Sequence, residues 1–149
     1  MAEFLEFTLD KFLFKVATDR SYSLDGVWAK ADGQRVLLGM SDYLQQRSGD
    51  VAFVELVQVG KQVATGERFA DVETIKTDVE LASPVTGRVL EINAVMDFEA
   101  ELINQDPYGE GWMVVIAAAD WAADQAALLS AEAYFEHIKM DALRETGAI

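Results

Sequence analysis

Residues 69–81 contain two short β-compatible runs on either side of a polar turn that holds one lysine, Lys76. Apolar residues stand among polar ones in the first run, and in the second run Val79 and Leu81 are separated by Glu80. Runs of this length and pattern are typical of strands. We therefore predict a β-hairpin with Lys76 at or near its tip. Taken alone, such a lysine is most simply an ordinary solvated loop residue.

Short strands separated by glycine and proline turns continue on both sides of this hairpin. A strand is predicted over Val51–Leu56, and glycine turns follow at Gly60 and Gly66. Beyond the hairpin, residues 83–87 form a predicted tight turn before a strand over residues 88–93. This organisation indicates a mainly β domain, a small barrel or sandwich, from one end of which the lysine hairpin projects.

The N-terminal part adds further predicted strands and one helix. Two Phe and one Val alternate with Leu and Lys over residues 12–16, which predicts an edge strand packed on the domain; a partner-docking segment is the alternative. Asp32-Gly33 is a predicted hairpin turn. Ser41 is positioned to cap a short helix that Gly49 ends.

The sequence predicts that the C-terminal part is mainly helical. We predict a short helix over residues 97–104, a last strand over residues 113–116 and helical structure over residues 120–149. Ser130 is the predicted N-cap of the final helix. Its apolar residues follow the spacing of one helix face, which predicts that this face packs on the sheet: Ala131, Tyr134, Phe135, Ile138 and Ala142.

Length, charge and composition exclude several classes of function. A chain of 149 residues with 51% hydrophobic residues has the size of one globular domain. Its net charge of −14 excludes nucleic acid as a partner, because phosphates need basic side chains. The longest apolar run, residues 113–119, is too short to span a bilayer. Glu3 and Glu6 stand where a signal peptide would have basic residues, so we predict a cytoplasmic location.

No catalytic constellation is visible in the sequence. The chain has no cysteine and one histidine, His137, which lies off the apolar face of the last helix. Thiolate catalysis and multi-histidine metal sites are therefore excluded. The remaining possibility is modification of Lys76, because acylation would convert its amine to a neutral amide that tethers a long flexible arm. A tethered reactive group meets successive partner sites at high effective concentration.

Several motifs, in order and at the right spacing, closely resemble the H-protein family of the glycine cleavage system. They lie at residues 41–43, 49–56, 73–76, 83–87, 91–93 and 104–112. The resemblance covers roughly residues 21–145. It implies a lipoyl-domain barrel-sandwich hybrid, a flattened β-barrel, with a C-terminal helix and short helical insertions. It also implies lipoic acid bound covalently to Lys76. A biotin carrier usually has Met on both sides of its lysine, whereas Ile75 and Thr77 flank Lys76.

The resemblance also implies the organisation of the chain and its partners. Residues 1–20 would be an N-terminal extension packed on the domain, residues 21–119 the lipoyl-type β domain and residues 120–149 a C-terminal helical segment. The protein would be a monomeric, non-catalytic carrier of an aminomethyl group and reducing equivalents. A lipoate-protein ligase or lipoyltransferase would modify it. It would then serve glycine decarboxylase, aminomethyltransferase and dihydrolipoyl dehydrogenase, without a membrane partner.

One departure from the family leaves a second function open. H proteins usually have His-Glu before the first Trp, and here Gly26-Val27 precede Trp28. The family's glutamate helps to hold the cationic aminomethylated arm, which Val27 cannot do. Asp25 and Glu80 are candidates to replace it.

Glu73 and Trp28 are further candidates for contact with the arm or the ligase. The alternative function is a related lipoate-binding protein that carries sulfur intermediates for a heterodisulfide-reductase-like complex. A scaffold without carrier turnover is a third class.

Overall fold

Backbone hydrogen bonds pair the strands of residues 3–147 into three sheets. The computed structural model describes residues 3–147, and the following bounds refer to them. The strands are β1 (Phe4–Leu9), β2 (Phe12–Ala17), β3 (Ser21–Tyr22), β4 (Val27–Asp32), β5 (Arg35–Met40), β6 (Val51–Leu56), β7 (Gln62–Val63), β8 (Arg68–Thr74), β9 (Asp78–Ala82), β10 (Gly87–Ile92) and β11 (Val114–Ala118). The helices are α1 (Asp42–Ser48), α2 (Leu102–Gln105), α3 (Trp121–Ala126) and α4 (Ala131–Glu145), with a 3₁₀ turn at Ala94–Asp97.

Two of the sheets form a flattened sandwich. The larger has the strand order β3-β4-β5-β11-β10-β7, and the smaller has the order β6-β8-β9. All strand pairs in them are antiparallel. Apolar side chains from both sheets, such as Leu38 and Ile116 from one and Phe69 and Val72 from the other, share one buried core. The sheets do not close into a barrel, and the predicted barrel-sandwich hybrid with a C-terminal helix is confirmed in this flattened form.

A second core covers the outer face of the larger sheet. Because successive side chains of a strand point to opposite faces, Val27 and Ala29 enter the sandwich core while Trp28 enters the second core. The hairpin of β1 and β2 and helix α4 close this core from outside, with Phe14 and Ile138 among its buried residues. The predicted edge strand at residues 12–16 is thus β2, packed against the domain.

The predicted caps and turns lie where expected. The Ser41 side chain accepts a hydrogen bond from the Leu44 amide at the start of α1. Gly49 ends that helix with a φ of 94°, in the left-handed region that favours glycine. The Ser130 side chain caps α4 in the same way, by accepting from the amide of Ala133.

Two helical predictions need correction. The single helix expected at residues 97–104 is instead the 3₁₀ turn and the later helix α2, because the Asn93 side chain accepts from the Val95 amide and starts the turn early. The helical stretch expected from Asp120 is interrupted between α3 and α4. There the backbone of Leu129 pairs with Tyr22 through two hydrogen bonds, which a continuous helix could not make. Residues 148 and 149 lie outside the described residues.

The last predicted strand is also shifted. The sequence predicts it over residues 113–116, whereas β11 covers Val114–Ala118. Its pairing with β5 and β10 extends to Ala117 and Ala118, which continue the hydrogen-bonded ladder beyond the predicted end. Among residues 3–147, no helix is both long enough and apolar enough to cross a membrane.

The four tyrosines of the chain are part of the second core or its border, and all four have raised pKa values. Burial disfavours the charged phenolate and raises the pKa of Tyr43 and of Tyr108 to about 12. Burial raises the pKa of Tyr22 and of Tyr134 as well. The rings of Tyr22 and Tyr134 are stacked 4.4 Å apart, and each hydroxyl makes a hydrogen bond.

We therefore predict that the tyrosines ionise at a lower pH in the unfolded protein than in the native protein. At about pH 10.5 the native protein should show little tyrosinate absorbance at 295 nm, whereas urea-unfolded protein should show most of it. The unfolded phenols release protons near pH 10 and the native ones only at higher pH. The free energy of unfolding should consequently be unaffected by the tyrosines below about pH 10 and fall as the pH rises through 12. Native tyrosines that titrate near pH 10 would contradict the buried cluster.

Candidate functional site

Lys76 lies in the turn between β8 and β9, as the sequence predicted. The turn is closed by a hydrogen bond from the Thr74 amide to the carbonyl of Thr77, 2.8 Å long. Lys76 is exposed, and its neighbour Ile75 is 74% exposed. The lysine is therefore presented to solvent on a strand pair that is itself part of the sandwich.

The buried Thr74 hydroxyl organises this turn. Its oxygen accepts hydrogen bonds from the amides of Lys76, at 3.2 Å, and Thr77, at 3.0 Å. Its single proton has two carbonyl acceptors in reach, Ser48 at 2.7 Å and Thr77 at 2.8 Å. One side chain thus fixes the turn internally and joins it to the end of α1.

The segment that follows α1, residues 49 and 50, contacts the turn that holds Lys76. The Ile75 amide donates to the carbonyl of Asp50 at 3.1 Å. The methylene chain of Lys76 lies over Gly49, where an added Cβ would be 3.3–3.4 Å from Cγ, Cδ and Cε of the lysine. Glycine at this position therefore serves both the left-handed backbone and the close approach of the lysine stem.

Asn104 of α2 fixes this supporting segment to the rest of the domain. Its side-chain oxygen accepts from the Val51 amide at 2.8 Å. Its side-chain nitrogen donates to the Gly49 carbonyl at 3.1 Å and to the Gln45 side chain at 2.9 Å. The lysine turn is thus connected through Gly49 to both helices.

A groove of about 370 Å³ adjoins the Lys76 side chain. We call it the hairpin groove, because the β1–β2 hairpin forms one of its walls and α1 and the end of α4 form the others. Its lining residues are Leu9, Asp10, Phe12, Phe14, Tyr43, Gln46, Arg47, Lys76, Ala142, Glu145 and Thr146. Arg47 forms ion pairs with Asp141 and Glu145. Within residues 3–147 the Lys76 amine makes no ion pair, so its nitrogen is open to acylation.

Two of the predicted acidic candidates lie on the same hairpin as Lys76. Glu73 is paired across the strands with Asp78, and Glu80 is paired with Asp71. These residues point to the outer face of the hairpin, while Val72 points into the core. The lysine turn is therefore flanked by a strip of carboxylates that faces solvent.

Asp25 lies in a different cavity. This cavity, of about 250 Å³, is lined by Asp25, Leu24 and residues of α1 and α4, and it shares Tyr43 and Arg47 with the hairpin groove. Tyr43 and Arg47 therefore line both the cavity of Asp25 and the groove beside Lys76.

The structure does not support a surface role for Trp28. This side chain is 1% exposed, and its indole nitrogen donates to the Pro107 carbonyl at 2.9 Å. The guanidinium of Arg20 lies 4.6 Å above its ring. A tryptophan enclosed in this way has no surface to offer an arm or a ligase, and we assign it to the second core.

The unusual Gly26-Val27 pair has a packing explanation. Gly26 has a φ of 95°, and a Cβ there would lie 3.0 Å from the Leu44 side chain and 3.2 Å from the Tyr134 hydroxyl. A histidine in this position would be both strained and crowded. Val27 is fully buried in the sandwich core, where an unpaired carboxylate would be costly.

Thr74 and Asn104 were not identified as site residues from the sequence. Threonine before a polar turn is a known turn former, so Thr74 had a weak local signal. Asn104 had none, because its partners lie between 53 and 59 residues earlier in the chain.

Comparison with known proteins gives a consistent result. The family model described as glycine cleavage H-protein matches residues 20–141. The glycine cleavage system H protein of Thermus thermophilus is 42% identical over 127 residues, which cover 85% of this chain and 98% of that protein. That of Chlorobium phaeovibrioides is 46% identical over 125 residues, covering 83% and 97%. The crystal structure of a glycine cleavage system H protein from Mycobacterium marinum aligns with a TM-score of 0.71 and 32% identity, over 78% of this chain and 94% of that one.

We predict that Thr74→Val loosens the lysine turn without unfolding the domain. The variant loses the hydroxyl that serves two amides and a buried carbonyl, so stability should fall by about 1–3 kcal/mol. Amide hydrogen exchange at Lys76 and Thr77 should accelerate more than exchange in β11. Thr77→Val is the control, because the Thr77 hydroxyl makes one long hydrogen bond of 3.4 Å. Equal exchange in the two variants would show that the Thr74 hydroxyl does not hold the turn.

Proposed function

This chain belongs to the glycine cleavage H-protein family, and from that premise we propose that lipoate is bound to it as an amide of the Lys76 amine. As a family member the protein is a lipoyl carrier. The observation that supports Lys76 as the attachment site is its position: an exposed amine at the tip of an anchored hairpin, inside the matched residues 20–141.

The surroundings of Lys76 suit acylation. Within the described part of the chain the amine has no carboxylate partner, so conversion to a neutral amide breaks no ion pair there. Part of the lining of the groove beside it is aliphatic and aromatic, and that part suits an apolar chain. When bound, lipoate supplies a dithiolane that takes up and releases an aminomethyl group together with reducing equivalents.

The chain's own contribution in this proposal is presentation. A turn fixed by Thr74 and supported by Gly49 holds the attachment point at a constant place on the surface. The protein itself would catalyse no step, and the reactions would occur in the active sites of its partners. A constant attachment point lets a tethered group reach those sites at high effective concentration.

The partners are those of the glycine cleavage system. More specifically, we propose glycine decarboxylase, aminomethyltransferase and dihydrolipoyl dehydrogenase, and a lipoate-protein ligase or lipoyltransferase for the modification. The solvent-facing carboxylates Glu73 and Glu80 would meet basic surfaces on these enzymes, and the net charge of −14 would speed such encounters.

The acids proposed to offset the missing glutamate differ in position. Glu80 shares a hairpin with Lys76 and remains our candidate contact for a cationic amine on the arm. Asp25 lines the neighbouring cavity, and it would serve only for an arm that enters that cavity. No comparison favours the sulfur-carrier alternative.

We predict that Lys76 alone is lipoylated. Protein produced with a lipoate-protein ligase should gain the mass of one lipoyl group, and Lys76→Arg should abolish the gain because arginine retains the charge but cannot be acylated. Lys61→Arg, at another exposed lysine in a turn, should have no effect. Intact-mass spectrometry measures the result. A lipoyl mass that survives Lys76→Arg would rule the site out.

We also predict that the lipoylated protein supports exchange between glycine and bicarbonate by glycine decarboxylase. The unmodified protein and Lys76→Arg should not support it, since both lack the tethered acceptor. Radiolabelled bicarbonate incorporated into glycine is the readout. If lipoylated protein gives no exchange with the decarboxylase of the same organism, the glycine cleavage role is contradicted and the sulfur carrier becomes the better hypothesis.

A further inference from the structure

The hairpin groove has one wall that the family match does not include. The match begins at residue 20, whereas Leu9, Asp10, Phe12 and Phe14 belong to the β1–β2 hairpin before it. The extension therefore adds a surface beside Lys76 that is not part of the matched family domain.

This wall is held firmly against α1. The Lys15 amide donates to the Asp42 carboxylate at 2.9 Å, and the Gln46 side chain donates to the Leu13 carbonyl at 2.9 Å. The Phe14 ring meets the Tyr43 ring edge-on, with centroids 5.1 Å apart.

The hairpin is also held against the C-terminal helix. The Phe7 ring meets the Phe135 ring edge-on at 5.6 Å. Five of the six residue pairs of β1 and β2 connect positions within Leu5–Val16, so the hairpin is paired along its length. A wall fixed on two sides can define a binding surface.

The lining of the groove combines apolar side chains from the hairpin with polar and charged ones from the two helices. Leu9, Phe12 and Phe14 contribute the apolar hairpin wall, and Phe12 is 47% exposed. Exposure of a phenylalanine on a well-packed hairpin leaves apolar surface that a ligand could cover. The charge of Arg47 is balanced by its ion pairs with Asp141 and Glu145. The volume of about 370 Å³ lies within the usual range of small-molecule sites, ~300–1,000 Å³.

The position of the Lys76 side chain indicates which ligand would occupy the hairpin groove. The stem of Lys76 runs over Gly49, and the residue itself lines the groove. A chain attached to its exposed amine therefore starts beside the groove.

We propose that the N-terminal hairpin provides a resting site for the lipoyl group on Lys76, with its hydrocarbon chain and dithiolane against Leu9, Phe12 and Phe14. This proposal rests on lipoylation of Lys76, as argued above. The neutral, apolar arm matches the hairpin wall in character and starts at the edge of the groove. While the arm rests there, its sulfur atoms are sheltered from solvent, and a partner enzyme gains access when the arm leaves the groove.

The absence of cysteine makes this proposal directly measurable. In the reduced, lipoylated protein the only thiols are those of the arm, because the chain contains no cysteine. Their alkylation by iodoacetamide, followed by intact-mass spectrometry, reports the accessibility of the arm without any partner enzyme. We expect alkylation about tenfold slower than that of free dihydrolipoamide, as for an arm that spends about nine-tenths of the time in the groove.

Two neighbouring residues offer a matched pair of variants. Phe12 lines the groove, whereas Leu13, 43% exposed, lines a separate cavity with Phe4 and Lys15. Phe12→Glu should raise the alkylation rate to that of free dihydrolipoamide, because the charged side chain opposes apolar contact with the arm. Leu13→Glu adds the same charge one residue away and should leave the protection intact.

The outcomes separate this proposal from the proposed function. If no lipoyl mass appears on Lys76, the proposed function fails. If the mass appears but the wild-type arm reacts as fast as free dihydrolipoamide, only the resting site fails. Equal loss of protection in both variants would also overturn it, because protection would then not depend on the groove surface.

A second measurement is independent of any substitution. In wild-type protein, lipoylation should shift the methyl NMR signals of Leu9 and leave those of Leu90 unchanged, since Leu90 lies on β10 and does not line the groove. Unshifted Leu9 signals in fully lipoylated protein would refute the resting site even if the variants unfolded.

Discussion

The position of Lys76 depends on the contact between the β8–β9 turn and the segment that follows α1. A single buried hydroxyl, that of Thr74, satisfies two turn amides and reaches the Ser48 carbonyl. The Ile75 amide adds a hydrogen bond to Asp50. Buried polar groups of this kind are costly to leave unpaired, so the turn and the helix end hold each other in place. A tethered arm needs such a fixed origin if its reach is to be the same in every encounter.

The two cores support different parts of the molecule. The sandwich core supports the hairpin that presents the lysine, and the second core attaches α4 and the N-terminal hairpin to the outer sheet face. Strand β4 belongs to both, because Val27 faces one core and Trp28 the other. The residues that differ from the usual family motif lie at this junction. Gly26 and Val27 follow from close packing against Leu44 and the sandwich interior.

The surface around the lysine has two distinct chemistries. On the outer face of the hairpin, Glu73 and Glu80 form part of a solvated acidic strip suited to encounter with basic enzymes. Lys76 also lines the hairpin groove, which combines an apolar hairpin wall with the Arg47–Glu145 ion pair. A carrier requires both properties. Partner enzymes must recognise it briefly and repeatedly, while its reactive group must be kept from bulk water between encounters.

Much of this molecule follows from local sequence. The β8–β9 hairpin with Lys76 at its tip, the caps at Ser41 and Ser130, and the buried face of α4 are set by alternation, side-chain hydrogen bonding and helical spacing, which act over a few residues. The early turn capped by Asn93 and the interruption of the C-terminal helical stretch at Leu129 escaped prediction. The Asn93 side chain is also held by the Glu110 and Trp112 carbonyls, and the Leu129 backbone pairs with Tyr22, so both depend on partners elsewhere in the chain.

Only the tertiary structure decided the surroundings of the lysine. Asn104 reaches a segment more than fifty residues earlier, Trp28 is enclosed by Arg20 and the Pro107 carbonyl, and the hairpin groove joins both ends of the chain at Lys76. The sequence determined that an exposed lysine would stand on a β-turn. Which residues meet it was decided by packing between distant segments, because such contacts depend on how whole elements dock and leave no periodic signal in the chain.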